Sequence, residues 1–108
     1  MAKYLIKEII SAAAAEAVMK NPHDRAEVIR PVFESVGGKL EQYYVAYSEN
    51  AVYIIADIPN QKDMAAILWA FQAGGGPVSI TATPIMPFTE ALEVIIKAGK
   101  LDYKSITR

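Results

Sequence analysis

Ala51-Val52-Tyr53-Ile54-Ile55-Ala56-Asp57-Ile58 is the stretch on which the fold turns. Its β-branched and aromatic residues are bounded by Ser48-Glu49-Asn50 before and Pro59-Asn60 after, the pattern of a strand between two turns. Side chains of a strand alternate sides, so Val52, Ile54, Ala56 and Ile58 form one set and Ala51, Tyr53, Ile55 and Asp57 the other. The aliphatic set suits a core packed by helices. The second set mixes an aromatic ring, an aliphatic and a carboxylate. Immediately upstream, residues 40–47 contain Tyr43, Tyr44, Val45 and Tyr47, a second β run. A short turn between two such runs marks a hairpin, which makes them antiparallel neighbours.

Further toward the N-terminus, residues 3–10 are rich in Ile, Leu and Tyr and read as a strand, with Ser11 capping a helix over residues 12–19. Asn21-Pro22 breaks that helix, because proline lacks an amide donor and restricts the residue before it. A second helical piece, residues 24–36, sets Val28, Val32 and Val36 along one face with Ile29 and Phe33 beside them. Pro31 within it predicts a kink or an open carbonyl near Glu27, and Gly37-Gly38 ends it.

Downstream, Asn60 caps a helix with Asp63 in its first turn, Met64, Ile67, Leu68 and Phe71 as its apolar stripe, and Gly74-Gly75-Gly76 as its stop. Residues 77–85 form a strand with Val78, Ile80 and Ala82 on one side and Ser79, Thr81 and Thr83 on the other. Pro84 and Pro87 keep its end out of a central ladder. Thr89 is the expected cap of a last helix reaching Ala98 and stopped by Gly99, and residues 99–108 are a C-terminal tail. The order is βαββαβ plus a C-terminal helix: one ferredoxin-like α+β domain spanning residues 1–108.

Composition narrows the function classes. The chain has 108 residues, 11 Lys and Arg against 12 Asp and Glu, one His and no Cys. That length is one domain. Balanced charge argues against a nucleic-acid surface, and no apolar run approaches the roughly 20 residues that span a bilayer. The absence of cysteine removes disulfides, thiolate metal sites and thiol nucleophiles, and fits a cytoplasmic location. A mean hydropathy of +0.18 is high for a small soluble monomer. The surplus apolar surface points to a homo-oligomer, a dimer or higher.

Two crossover helices cover only one face of a four-stranded sheet. The other face is expected to present Ala51, Tyr53, Ile55 and Asp57 from the third strand, Glu41, Tyr43, Val45 and Tyr47 from the second, and Ser79, Thr81 and Thr83 from the fourth. Such an amphipathic face suits two sheets packed into a dimeric α+β barrel-like assembly, with a partly polar cavity between them.

Phe33-Glu34-Ser35-Val36-Gly37-Gly38-Lys39-Leu40, Tyr43-Tyr44 and Ala51 through Pro59 resemble the GYD domain family, with the similarity running from about Met1 to Ala98. The resemblance implies a small ferredoxin-like α+β protein related to the dimeric α+β barrels. Those barrels include cofactor-free monooxygenases, isomerases, haem enzymes and ligand sensors, so the likeness implies a fold and no single reaction. The family's Gly-x-Tyr-Asp segment falls on Ser48-Glu49-Asn50-Ala51, where glycine, tyrosine and aspartate are all replaced.

No residue set makes a recognisable catalytic motif. His23 sits in a helix break and reads as a loop polar residue; with one His and no Cys, no metal-ligand spacing exists, and no cofactor is expected. No Gly-x-Ser-x-Gly elbow is present, and Gly74-Gly75-Gly76 follows a helix without the Lys-Ser/Thr of a phosphate loop. Trp69 lies among Ile67, Leu68 and Phe71 and reads as core or interface. The candidate ligand-binding residues are therefore Tyr43, Tyr53, Asp57, Thr81 and Thr83, enclosing a small molecule between sheet faces. Partial desolvation would raise the pKa of Asp57 and make it a candidate proton acceptor in the alternative reading, a cofactor-independent enzyme.

Overall fold

The computed structural model describes residues 1–106. Its elements are β1 (Ala2–Ile10), α1 (Ala12–Lys20), α2 (Arg25–Ser35), β2 (Lys39–Ala46), β3 (Ala51–Ile58), α3 (Gln61–Ala73), β4 (Pro77–Ile85) and α4 (Phe88–Gly99). Local chemistry explains most boundaries. The Ser11, Asp24 and Asn60 side chains accept hydrogen bonds from the Ala14, Ala26 and Asp63 amides, satisfying donors that the first helical turn leaves open. α2 runs through Pro31 without ending there. Asn50 closes the β2–β3 turn at φ 54°. α4 begins two residues earlier than a Thr89 cap implies: Pro87 precedes it, and its carbonyl accepts from the Glu90 and Ala91 amides. Thr107 and Arg108 of the C-terminal tail lie outside the described residues.

The strands form one antiparallel sheet in the order β2-β3-β1-β4. Crossover helices between β1 and β2 and between β3 and β4 complete the ferredoxin-like arrangement. β4 is an edge strand, the position that its Pro84 requires.

Tyr4, Ile6, Val52, Ile54, Ala56 and Ile58 from the two central strands pack against Ile29 and Phe33 of α2 and Met64 and Ile67 of α3. Phe33 meets Phe71 edge-to-face, with ring centroids 6.1 Å apart. The valine row expected along α2 is displaced by this packing: Ile29 and Phe33 are buried, Val32 and Val36 are half-buried, and Val28 is exposed. Trp69 points away from the core and is 76% exposed. Val78 is exposed as well, beside the register shift at Ile9 and Ile10, while Ile80 and Ala82 pack on the core as the alternation predicts.

One residue in β2 overturns the expected face of everything after it. Leu40 opposes Ala56, but Gln42 opposes Ile55 and Tyr43 opposes Ile54, so a β-bulge at Glu41 inserts one extra residue. Without it Tyr43 would oppose Tyr53. With it, Tyr43 and Val45 turn to the helix side and Tyr44 takes the place opposite Tyr53. Tyr47 belongs to the turn, not to the sheet face.

The chain is longer than a compact domain. Its Cα radius of gyration is 17.4 Å, against about 13 Å for a compact chain of this length. Neither α1 nor α4 buries a residue, in keeping with that extended shape.

Candidate functional site

The sheet has two faces of different character. On the open face, Lys3, Leu5, Lys7 and Ile9 of β1 stand beside Asp57, Ile55, Tyr53 and Ala51 of β3, with Ile85, Thr83, Thr81 and Ser79 of β4 on the far side. Tyr53, Asp57, Thr81 and Thr83 therefore share a face, as the alternation predicts. Tyr43 does not join them, because of the bulge at Glu41.

Charges on this face are matched locally. At one end Lys3 hydrogen-bonds Glu41 and lies 3.3 Å from Asp57 Oδ1. At the other, Tyr53 donates its hydroxyl proton to Glu49 at 2.8 Å, and Lys7 lies 3.7 Å from the same carboxylate and 5.5 Å from the Tyr53 ring centre. Leu5 and Ile55 lie between these two clusters. The face is thus a short apolar strip closed at each end by a satisfied ion cluster.

Asp57 departs from the expected raised pKa. Hydrogen bonding to Glu41, together with the hydrogen bond and charge of Lys3 and the charge of Lys39, holds its carboxyl below the usual aspartate range and outweighs desolvation. A carboxylate held ionised in this way is a weaker base, so Asp57 is poorly suited to accept a proton. Lys3 is raised correspondingly, chiefly through its hydrogen bond to Glu41.

The helix side holds a cavity of about 830 Å³ between α1 and the sheet. α1 offers only alanines and Val18 to it, side chains too short to reach the strands, and α1 buries no residue of its own. Glu8 and Tyr43 line the sheet side, while Arg25, at the start of α2, lines the rim with His23 and Asp24. Burial pushes the Glu8 carboxyl above its usual range, with Arg25 pulling in the opposite direction. Burial also pushes the Tyr43 hydroxyl upward, and the Glu8 charge adds to the shift. The His23 Nδ1 lies 2.7 Å from the Asn21 carbonyl and must carry the proton there, which leaves Nε2 as acceptor toward Arg25 at 3.4 Å. Among the described residues, no three His, Asp or Glu side chains are grouped as a metal site requires.

Glu8 and Arg25 are absent from the candidates read from the sequence. A signal for Glu8 was available: in the alternate set Tyr4, Ile6, Glu8 and Ile10, it is the one charged residue in a row otherwise suited to the core. The exposed face of α4 was equally legible. Thr89, Glu90, Glu93 and Lys97 share one side, while Phe88, Ala91, Leu92, Val94, Ile95 and Ile96 cover an arc of about 200°.

An antiparallel four-stranded sheet with crossover helices on one face and an ion-paired open face on the other defines a ferredoxin-like α+β domain. The family model of the GYD domain matches residues 4–95, and the chain belongs to the GYD domain family. No curated protein and no solved structure matches it. No helix among the described residues is long and apolar enough to cross a membrane.

Proposed function

We propose that this GYD domain protein is a self-associating α+β protein in which two copies meet through their open sheet faces, with α4 of each laid against the other. The observation that carries this reading is α4 itself. Phe88, Leu92, Val94, Ile95 and Ile96 are between 51% and 73% exposed, an apolar arc that the described residues leave largely uncovered. Leaving that much contiguous apolar surface in water is costly, and a second copy removes it without requiring any further protein.

Area supports combining the two elements. The sheet face measures roughly 19 by 26 Å, about 500 Å². α4 adds about 200 Å², and only together do they approach the ~800 Å² per partner of a stable interface. The position of α4 fits as well, since Glu90, Glu93 and Val94 border the open-face residues Lys3, Asp57 and Ile85 around a cleft of about 550 Å³. In such an assembly Tyr53, Asp57, Thr81 and Thr83 line the space between the sheets, where a small molecule could lie beside the matched charges.

Light scattering coupled to size exclusion tests the reading. The wild-type chain at micromolar concentration is expected to elute at twice 11.8 kDa or a larger whole multiple of it. The double variant Leu92→Glu, Ile95→Glu is expected to elute at the single-chain mass with its secondary structure retained, because neither residue contributes to the core. A wild-type chain that elutes at the single-chain mass overturns the proposal.

A further inference from the structure

Self-association uses one side of the sheet and leaves the cavity on the other side unexplained. Three features distinguish that cavity from a packing fault. Its α1 wall is built from Ala14, Ala15, Ala17 and Val18, a run that keeps space open beside the sheet. Its sheet wall contains a half-buried carboxylate, Glu8, that makes no hydrogen bond or ion pair with another described residue. Tyr43 is turned toward the same space by the bulge at Glu41. The Glu8 carboxylate is partly desolvated but keeps access to the cavity, and no donor among the described residues meets it there, so its acceptor capacity is free for a ligand.

We propose that this cavity binds a largely apolar, uncharged molecule of two or three fused rings bearing a phenol or enol hydroxyl, which donates to Glu8 and accepts from Tyr43 or Arg25. The lining carries both signs, Glu8 and Asp24 against Arg25, so a ligand carboxylate or ammonium meets a like charge as well as an opposite one, whereas an uncharged group that both donates and accepts meets no repulsion. The faces of α1 and α3 toward the cavity, including Ala70 and Phe71, carry no ionisable group, so they meet only the apolar body of the ligand. A hydroxyl on an unsaturated ring system both donates and accepts without net charge, which matches a lining that presents the carboxylates of Glu8 and Asp24 beside the donors of Tyr43 and Arg25. The volume of about 830 Å³ is ample for such a molecule.

Calorimetric titration with 2-naphthol, 2-naphthoate and naphthalene tests the assignment, because the three share a body and differ in the polar group. 2-Naphthol is expected to bind roughly ten- to a hundred-fold more tightly than naphthalene, the worth of a hydrogen bond to a charged group. 2-Naphthoate is expected to bind more weakly than 2-naphthol. Glu8→Leu removes the acceptor at similar volume and should abolish the preference for 2-naphthol over naphthalene. Ala14→Phe with Val45→Phe narrows the cavity from its helix and sheet walls and should weaken binding of both; if that pair does not fold, Val45→Phe alone should weaken it to a smaller extent. No heat with 2-naphthol, equal affinity for 2-naphthol and naphthalene, an unchanged preference in Glu8→Leu, or binding as tight in the narrowed cavity as in the wild type would each overturn the proposal.

Discussion

The Lys3 Nζ lies 3.3 Å from Asp57 Oδ1 across the β1–β3 ladder, with Glu41 of the neighbouring strand bonded to the same ammonium. The pair ties the two central strands together at their open end. Asp57 has a folded pKa below its ordinary value of 3.8, so its carboxylate stabilises the fold above that pH and the contribution is lost as pH falls through the folded value. Asp57→Asn is expected to lower the melting temperature slightly at pH 7, since the group is partly solvated. The difference from wild type should close below pH 3.8. Thermal melts across pH 3 to 7 check this, and a constant difference throughout would contradict it.

Glu8 has the opposite sign. Its folded pKa is raised above the ordinary 4.5, so its contribution is most favourable below that pH and becomes a cost as pH rises through the folded value. Glu8→Gln is therefore expected to raise the melting temperature at pH 7, with the gain disappearing below pH 4.5. Circular-dichroism melts of the two proteins at pH 4 and pH 7 decide the matter. A variant less stable at pH 7 would show that the carboxylate has a partner within the fold.

Gly38 is required by close approach. A Cβ at this position would stand 2.6 Å from the Asp57 carbonyl oxygen and 3.1 Å from that of Phe33, both backbone atoms that cannot rotate away. Gly38→Ala should push β2 from β3 and cost about 1–3 kcal/mol in urea unfolding. Gly76, whose Cβ would meet nothing within 4 Å, is the control, and Gly76→Ala should lie within about 0.5 kcal/mol of wild type.

Phe33 is fully buried between α2 and the sheet, and its ring stands at 84° to that of Phe71. Phe33→Ala should cost about 3–5 kcal/mol, a large part of the ~5–15 kcal/mol that stabilises a domain. A double-mutant cycle with Phe71→Ala should return a coupling of about 0.5–1.5 kcal/mol for the edge-to-face contact. Zero coupling would mean that the two rings contribute through burial alone.

The amino-acid order by itself determined the elements. Ser11, Asp24 and Asn60 start helices because their side chains bond nearby amides, and Gly37 and Gly74 end them, all interactions within a few residues of chain. The strand of residues 51–58 shows its buried face directly, because Val52, Ile54, Ala56 and Ile58 alternate without interruption. Together these fix a ferredoxin-like order and a sheet covered on one side. The tertiary structure alone decided which tyrosines belong to which face. The bulge at Glu41 exists only between two paired strands, and one inserted residue exchanges Tyr43 for Tyr44 opposite Tyr53. It also decided the state of the two carboxylates: Glu8 is partly desolvated at the sheet wall of the cavity, and Asp57 is held ionised by groups from the two strands that flank its own. Local pattern cannot report either, because pairing register and electrostatic environment arise between segments distant in the chain and close only in the folded molecule.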